Sequence, residues 1–308
     1  MVSYYKTVNN RISKIDNYEP GCWINCVEPE ENEINEIIEK FNIEPEFLKA
    51  SLDKEESSHI DHEGGTTLII IDTPIVEKHD GHLAYSTMPL SIMITPQNVI
   101  TISIEDNPIV NEFADGVVRN VYTHFRTQFV FHIMFRMASK YLQYLNQIDK
   151  LTYHTERELR KSMKNKELIQ LLEIEKSLVY FSTSLKSNNI TLEKLLRGKY
   201  VKLYDEDQDL LEDVIIEIKQ GVEMAEIHIN ILSSTMDAFA SIISNNLNIV
   251  MKVLTSITLI MTIPTIVSGI YGMNNRGIPF MDIWWVPFLI MGILMVLAWF
   301  ILKKKKLL

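Results

Sequence analysis

The chain has 308 residues, of which 46% are hydrophobic and 23% charged, enough for one or two domains with a sizeable core. Through Met251 there are 24 Lys and Arg against 39 Asp and Glu, whereas the last 57 residues carry six basic side chains and one acidic one. An acidic body of net charge −15 lacks the phosphate-neutralising surface that nucleic acid requires; it suits metal cations, or serves solubility alone.

The opening MVSYYKTVNNR has no apolar stretch of the kind a secretory signal needs. Cys22 and Cys26 flank Trp23 in a predicted strand of a cytosolic domain, where thiols stay reduced, and they read as structural. Helical spacing follows in EENEINEIIEKF (30–41) and PEFLKASLD (45–53), each with proline at or near its start. HIDHE at 59–63 groups two histidines with two carboxylates, which suits a transition metal or a plain polar loop, and Gly64 and Gly65 favour a turn there. The β-branched runs at 66–76, 87–96 and 98–105 predict strands. Long helices are predicted at 128–161, 166–187 and from 206 onward, giving an α/β domain with appended helices. RGKY at 197–200 lacks the earlier glycine of a phosphate loop, and neither H-E-x-x-H nor G-x-S-x-G occurs, so an enzyme reading has no anchor and no organic cofactor is expected.

Residues 253–270 and 283–302 are free of charge, and each is near the ~20 residues that cross a bilayer as helix. A buried core hairpin is the alternative. Lys303 to Lys306 after the second run, with Trp284, Trp285 and Trp299 near its ends, favour two membrane spans. Lys252 and the lysine run place both chain ends in the cytoplasm by the positive-inside rule, and the loop between the spans outside. Between Asp209 and Pro264 the one breaker is Gly221, so a single helix of roughly 60 residues, about 90 Å long, is expected to run from the cytoplasm through the bilayer. The expected divisions are 1–126, a cytosolic α/β domain; 127–209, a helical extension; 210–252, a stalk helix; 253–270, the first span; 271–282, the outer loop; 283–302, the second span; and 303–308, a basic cytosolic end.

Stepping by three and four along the first span gives Asn248, Met251, Thr255, Thr258, Thr262, Thr265, Gly269 and Gly272 on one helix face. Small and hydroxyl residues also make tight helix contacts in lipid. Continued back with the same step, however, the face reads Glu223, Asn230, Ser234, Asp237, Ser241 and Ser244, polar well before the membrane. A polar line that crosses the bilayer suits a water-filled path, and two spans per chain can enclose one only when several copies form a ring.

YGMN at 271–274, closing the first of two spans, resembles the CorA family of magnesium channels. MKVLT at 251–255, Pro264 seven residues before Tyr271, and CWINCVEPEENEINEIIEKFNI at 22–43 also resemble that family, so the likeness covers essentially the whole chain. The resemblance implies an α+β/α membrane protein: a homopentameric funnel with an N-terminal cytosolic α/β domain and a long stalk helix continuing into the first of two C-terminal transmembrane helices. It makes Gly272, Met273 and Asn274 the selectivity filter, puts Asn248, Met251 and Leu254 in the inner pore and gate region, and lines the path with Asp237 and Thr265. Asp213 matches an acidic residue of a cytosolic regulatory Mg²⁺ site between subunits. Two positions depart from the family pattern. NRGIPFMD lacks the usual loop glutamate, leaving Asp282 as substitute, and the second acidic sensor position falls near Gly64 and Gly65, leaving Asp61 or Glu63.

The implied activity is passive, potential-driven uptake of Mg²⁺, with Co²⁺ or Ni²⁺ as further cargo, across the plasma or inner membrane, gated by cytosolic Mg²⁺. The implied partners are further copies of the chain, the lipid bilayer and divalent cations. A zinc transporter of the same architecture and a non-conducting membrane-anchored sensor or scaffold are the alternatives.

Overall fold

β1 (Val2–Val8) and β2 (Arg11–Ile15) are joined by Asn9 and Asn10, with φ of 50° and 61°, the left-handed pair that a two-residue hairpin turn needs and asparagine tolerates. β3 (Trp23–Val27), β4 (His59–Glu63), β5 (Thr66–His79), β6 (His82–Ile94) and β7 (Val99–Ser103) complete one mixed sheet in the order β2-β1-β3-β7-β6-β5-β4. The β3–β7 pair is parallel, bringing Trp23 beside Val99 and Cys26 beside Ile102, and the remaining pairs are antiparallel. This computed structural model describes residues 1–79, 82–162, 165–273, 277–280, 283–305 and 307. Its chain divides into two units, Met1–Ser234 and Thr235–Leu308.

The polar-loop expectation for HIDHE is corrected: it forms β4, and Gly64 and Gly65, with φ of 58° and 81°, make the two-residue turn into β5. β5 supplies its backbone partners, so β4 needs only Ile60 to face inward while its charged side chains stay in water.

In the first unit, α1 (Glu31–Phe41) starts with a capping box between Glu30 and Glu33 and stops at Asn42 in the left-handed region. α2 (Pro45–Ser51) opens on proline, whose missing N–H is harmless in a first turn. Together they lay Ile37, Phe47 and Leu48 over Cys22, Ile24, Cys26, Leu68, Ile70, Met93, Ile100 and Ile102 of the sheet. Elsewhere on the sheet, the Trp23 indole N–H donates to the Thr101 hydroxyl at 2.8 Å, and its ring lies 5.4 Å from Phe129.

α3 (Pro108–Ala114) is capped by Asn107, whose side chain accepts from the Ile109 and Val110 N–H groups. It is tied to α4 (Arg126–Ser162) by Glu112, which accepts from Arg136 and, at 2.9 Å, from Lys140. Burial alone would raise the Glu112 carboxyl, but the bonds from the two cations outweigh it and hold it below the usual carboxylate range. α5 (Asn165–Leu196) lies against β5 through fully buried Asn188. The amide of Asn188 accepts from the Asp72 N–H at 2.9 Å and donates to the Asp72 carbonyl at 2.8 Å, while Ser58 and Tyr141 donate into the same knot. Desolvation raises the Asp72 carboxyl, opposed by hydrogen bonds from Ser184 and Ser58.

α6 (Asp205–Tyr271) is one helix of 67 residues. At Gly221 it comes so close to α5 and α4 that an added Cβ would sit 3.2 Å from Leu185 and 3.7 Å from Leu142.

In the second unit α6 continues, and α7 (Val286–Lys304) follows, again with proline in its first turn. Every residue of α6 from 240 to 255 is exposed. Only 11% of the most apolar window of α6 and 6% of that of α7 are buried, which separates both from the core helices of a water-soluble protein. Trp284 is 80% exposed, and Lys303 lies 4.8 Å over the Trp299 ring, an arrangement suited to a bilayer interface.

Candidate functional site

The membrane part of α6 has two faces. Ser256 and Val267 are buried, and Ile260, Ile263, Pro264 and Tyr271 are half-buried; these share one side of the helix. On α7 the covered positions, Val286, Pro287, Ile290, Met291, Met295, Ala298 and Leu302, recur at the same three-four spacing. Two hydrogen bonds lie near its ends: the Ser256 hydroxyl donates to the Leu307 carbonyl, just beyond α7, at 3.0 Å, and the Tyr271 hydroxyl to the Pro279 carbonyl, in the connecting loop, at 3.3 Å. With 3.6 residues per turn, Thr255, Thr258, Thr262, Thr265 and Gly269 lie roughly 180° away, on the face that α7 leaves open.

On that open face the threonine hydroxyls need no second molecule. Thr258 donates to the Leu254 carbonyl at 2.9 Å and Thr262 to the Thr258 carbonyl at 2.8 Å, turned back onto their own helix. Each oxygen keeps acceptor capacity outward, so the stripe presents oxygen without formal charge. Asp237, Ser241, Ser244, Asn248, Met251 and Leu254 are likewise exposed. The apolar surface around them, including Leu247, Val250, Leu259 and Met261, is far more than a water-exposed helix can carry, so lipid or other copies must cover it.

The motif at the end of α6 has a local cause. The Gly272 N–H donates to the Ser268 carbonyl at 2.8 Å, and a Cβ at position 272 would meet that oxygen at 3.0 Å. Glycine is therefore favoured by close approach and not by a left-handed turn, since a side chain there needs the Ser268 carbonyl to give by a few tenths of an ångström. Met273 closes the last turn onto the Ile270 carbonyl and is exposed. Asn274, and Asp282 in the loop, lie outside the described residues.

Asp61 and Glu63 alternate with His62 along β4, so both point to the same side as His59, whose Nε2 is 3.4 Å from Asp61. They line an open hollow of about 420 Å³ with Glu46, Phe47, Ala50, His62 and Leu68. His62 is engaged elsewhere, its Nδ1 2.9 Å from the Thr67 hydroxyl. Asp213 is exposed on α6. Among the described residues no three His, Cys, Asp or Glu side chains stand ready to hold a metal ion, so one copy does not assemble Asp213, Asp61 and Glu63 into a site. Periodicity finds the threonine face; Ser256 escapes it, its one sequence signal being that it is a hydroxyl lying off that face.

An α/β domain with two candidate membrane spans and a helix polar along one exposed face defines a membrane protein of the class that includes transporters. The model of the CorA-like Mg²⁺ transporter family matches residues 19–304. The cobalt/magnesium transport protein CorA of Methanocaldococcus jannaschii is 26% identical over 286 residues, 90% of this chain and 88% of that relative. The complete structure of the magnesium transporter from the same organism superposes with a TM-score of 0.81 at 23% identity, over 99% of this chain and 96% of that one. The cytoplasmic domain of ZntB from Vibrio parahaemolyticus shares the fold at a TM-score of 0.60 and 10% identity, over 80% of this chain and 97% of that one. The chain belongs to the CorA-like Mg²⁺ transporter family.

Proposed function

We propose that the protein is a divalent-cation channel, selective first for Mg²⁺, built from five copies with α6 on the inside and α7 toward lipid. The observation that carries this is the position of the threonine face directly opposite the seam with α7: a path bounded by α6 alone turns that face to the ion and its covered face to α7. In this reading Asp237, Ser241, Ser244, Asn248, Met251, Leu254, Thr255, Thr258, Thr262, Thr265 and Gly269 line the path, and Gly272, Met273 and Asn274 form its outer filter.

Mg²⁺ holds its water shell tightly, so a filter that stripped it would need a near-ideal oxygen cage. A neutral ring of asparagine carbonyls and backbone oxygens can instead hydrogen-bond the hydrated ion and release it again. No nucleotide is required: an inside-negative potential gives a divalent ion about 4.6 kcal/mol per 100 mV, twice the ~2.3 for a unit charge.

The charge asymmetry around the spans supports both chain ends in the cytoplasm, and the membrane in this reading is the plasma or inner membrane. On the cytoplasmic side, Asp213 of one copy with Asp61 or Glu63 of another forms a Mg²⁺ site that holds the ring closed. Carboxylates crowded at an interface repel unless a cation intervenes, so internal Mg²⁺ stabilises the closed assembly.

The ZntB likeness concerns the fold, which does not fix the ion. Purified protein in liposomes with an enclosed magnesium dye tests the reading: Mg²⁺ influx that grows with inside-negative potential supports it. Zn²⁺ influx with no Mg²⁺ influx moves the protein to the zinc reading, and no flux of either ion leaves a membrane-anchored sensor.

A further inference from the structure

The hydroxyls of the first span divide into two kinds. Those of Thr258, Thr262 and Thr265 bond to the carbonyl four residues back on α6. Ser256 bonds instead to a carbonyl 51 residues further along the chain, that of Leu307 beyond the end of α7. Ser256 is 2% exposed and Leu302 8%, while the residues of α6 just before Ser256 are bare. The Leu307 N–H in turn donates to the Leu302 carbonyl at 3.1 Å, a helix-ending bond that holds residue 307 against the last turn of α7. Ser256 is shut away from water, and its hydroxyl takes the Leu307 carbonyl in place of the carbonyl four residues back that the threonines use, so the contact joins two helices where theirs do not.

We propose that Ser256 is a positioning residue for conduction: its bond to Leu307 straps the inner half of α6 to α7, two residues past Leu254. The bond lies on the face opposite the threonines. It therefore draws α6 outward onto α7, away from the space the threonine face encloses, and favours the wider path. This rests on the channel reading given above.

The test uses the full-length protein in liposomes. Ser256→Ala and a chain stopped after Lys305 each lower Mg²⁺ flux by about threefold, the effect of one average interhelical hydrogen bond in lipid. The two changes together lower it no further, and Ser256→Thr, which keeps the hydroxyl, restores it. Unchanged or raised flux in Ser256→Ala, or effects that multiply in the double variant, overturn the proposal. A measurement without flux guards against misfolding: the Ser256→Cys, Leu307→Cys pair forms a cross-link within one chain under mild oxidation, seen by mass spectrometry, and its absence in protein of native assembly size also overturns it. If the native protein passes no ion while the cross-link forms, the channel reading fails and the contact itself stands.

Discussion

The two units differ in where the cover for their apolar surface comes from. In the first, Trp23, Phe129, Phe131, Tyr141 and Phe181 are fully buried by the chain's own sheet and helices. In the second, Leu259, Met261, Phe288, Val296 and Phe300 are exposed, and within the two spans the covered residues follow one seam. Protein fills the first interior, whereas in the second the chain supplies only one side of each contact. On the channel reading proposed above, stability resides in the first unit and the ion path in the second, and changes in the two should separate.

The largest expected effect is at the proposed filter. Asn274→Ala should abolish Mg²⁺ flux in liposomes while leaving the melting temperature of the protein unchanged, and Asn275→Ala should retain most of the flux. Normal Mg²⁺ transport by Asn274→Asp, with discrimination against Ca²⁺ intact, would sink the hydrated-ion account, because charge and amide would then be interchangeable.

Phe181→Ala should do the opposite. Its ring lies 5.0 Å from Tyr141 in the packed interior, and its loss should cost about 3–5 kcal/mol of stability in chemical denaturation, with flux per folded protein preserved. The same truncation at exposed Leu259 should shift stability by less than about 0.5 kcal/mol; a cost as large as that of Phe181 would mean the chain itself covers that face.

Within the second unit the contrast sharpens to single turns of helix. Cysteines at Thr258 and Thr262 should react with a water-soluble thiol reagent about tenfold faster than cysteines at Leu259 and Ile263, because thiolate chemistry needs water. Equal rates at all four positions would remove the polar path.

Millimolar Mg²⁺ should protect the assembled protein against limited proteolysis, and Asp213→Ala should erase that protection. Protection that survives intact assigns the ion to other residues.

The smallest effect belongs to Asp72. Its carboxyl is raised chiefly by desolvation, so the neutral form is favoured in the folded chain. Its stabilising contribution is complete below the ordinary carboxylate pKa and is lost as pH rises through the elevated value. Asp72→Asn should accordingly be more stable relative to the native protein at pH 7 than at pH 4, a widening gap that thermal melting can follow. A gap that narrows would mean an unrecognised cation faces the carboxylate.

Much of this division is legible in the residues. The runs 66–76 and 87–96 announce β5 and β6 because a buried hairpin needs β-branched side chains on both faces. β4 is not legible as a strand: an edge strand held by its neighbour's backbone keeps charged side chains, so HIDHE looks like a loop. β1 and β2 are obscured by lysines and tyrosines, although the Asn9-Asn10 pair is their turn signal. α3 spans seven residues, too short for helical periodicity to show. The threonine face is legible because it is local to one helix. The Ser256–Leu307 bond is not, because nothing in either residue's neighbourhood encodes a partner 51 positions away.

The burial of Cys22 and Cys26 has a practical consequence for work on this protein. Both thiols are free and lie in the core of the first unit, and desolvation pushes Cys22 up and Cys26 to about 12. At pH 7 a thiol with that value is ionised roughly once in a hundred thousand. The native chain thus supplies its own silent background: alkylating probes, spin labels and fluorophores placed along α6 report from the introduced site without the sheet having to lose either sulfur.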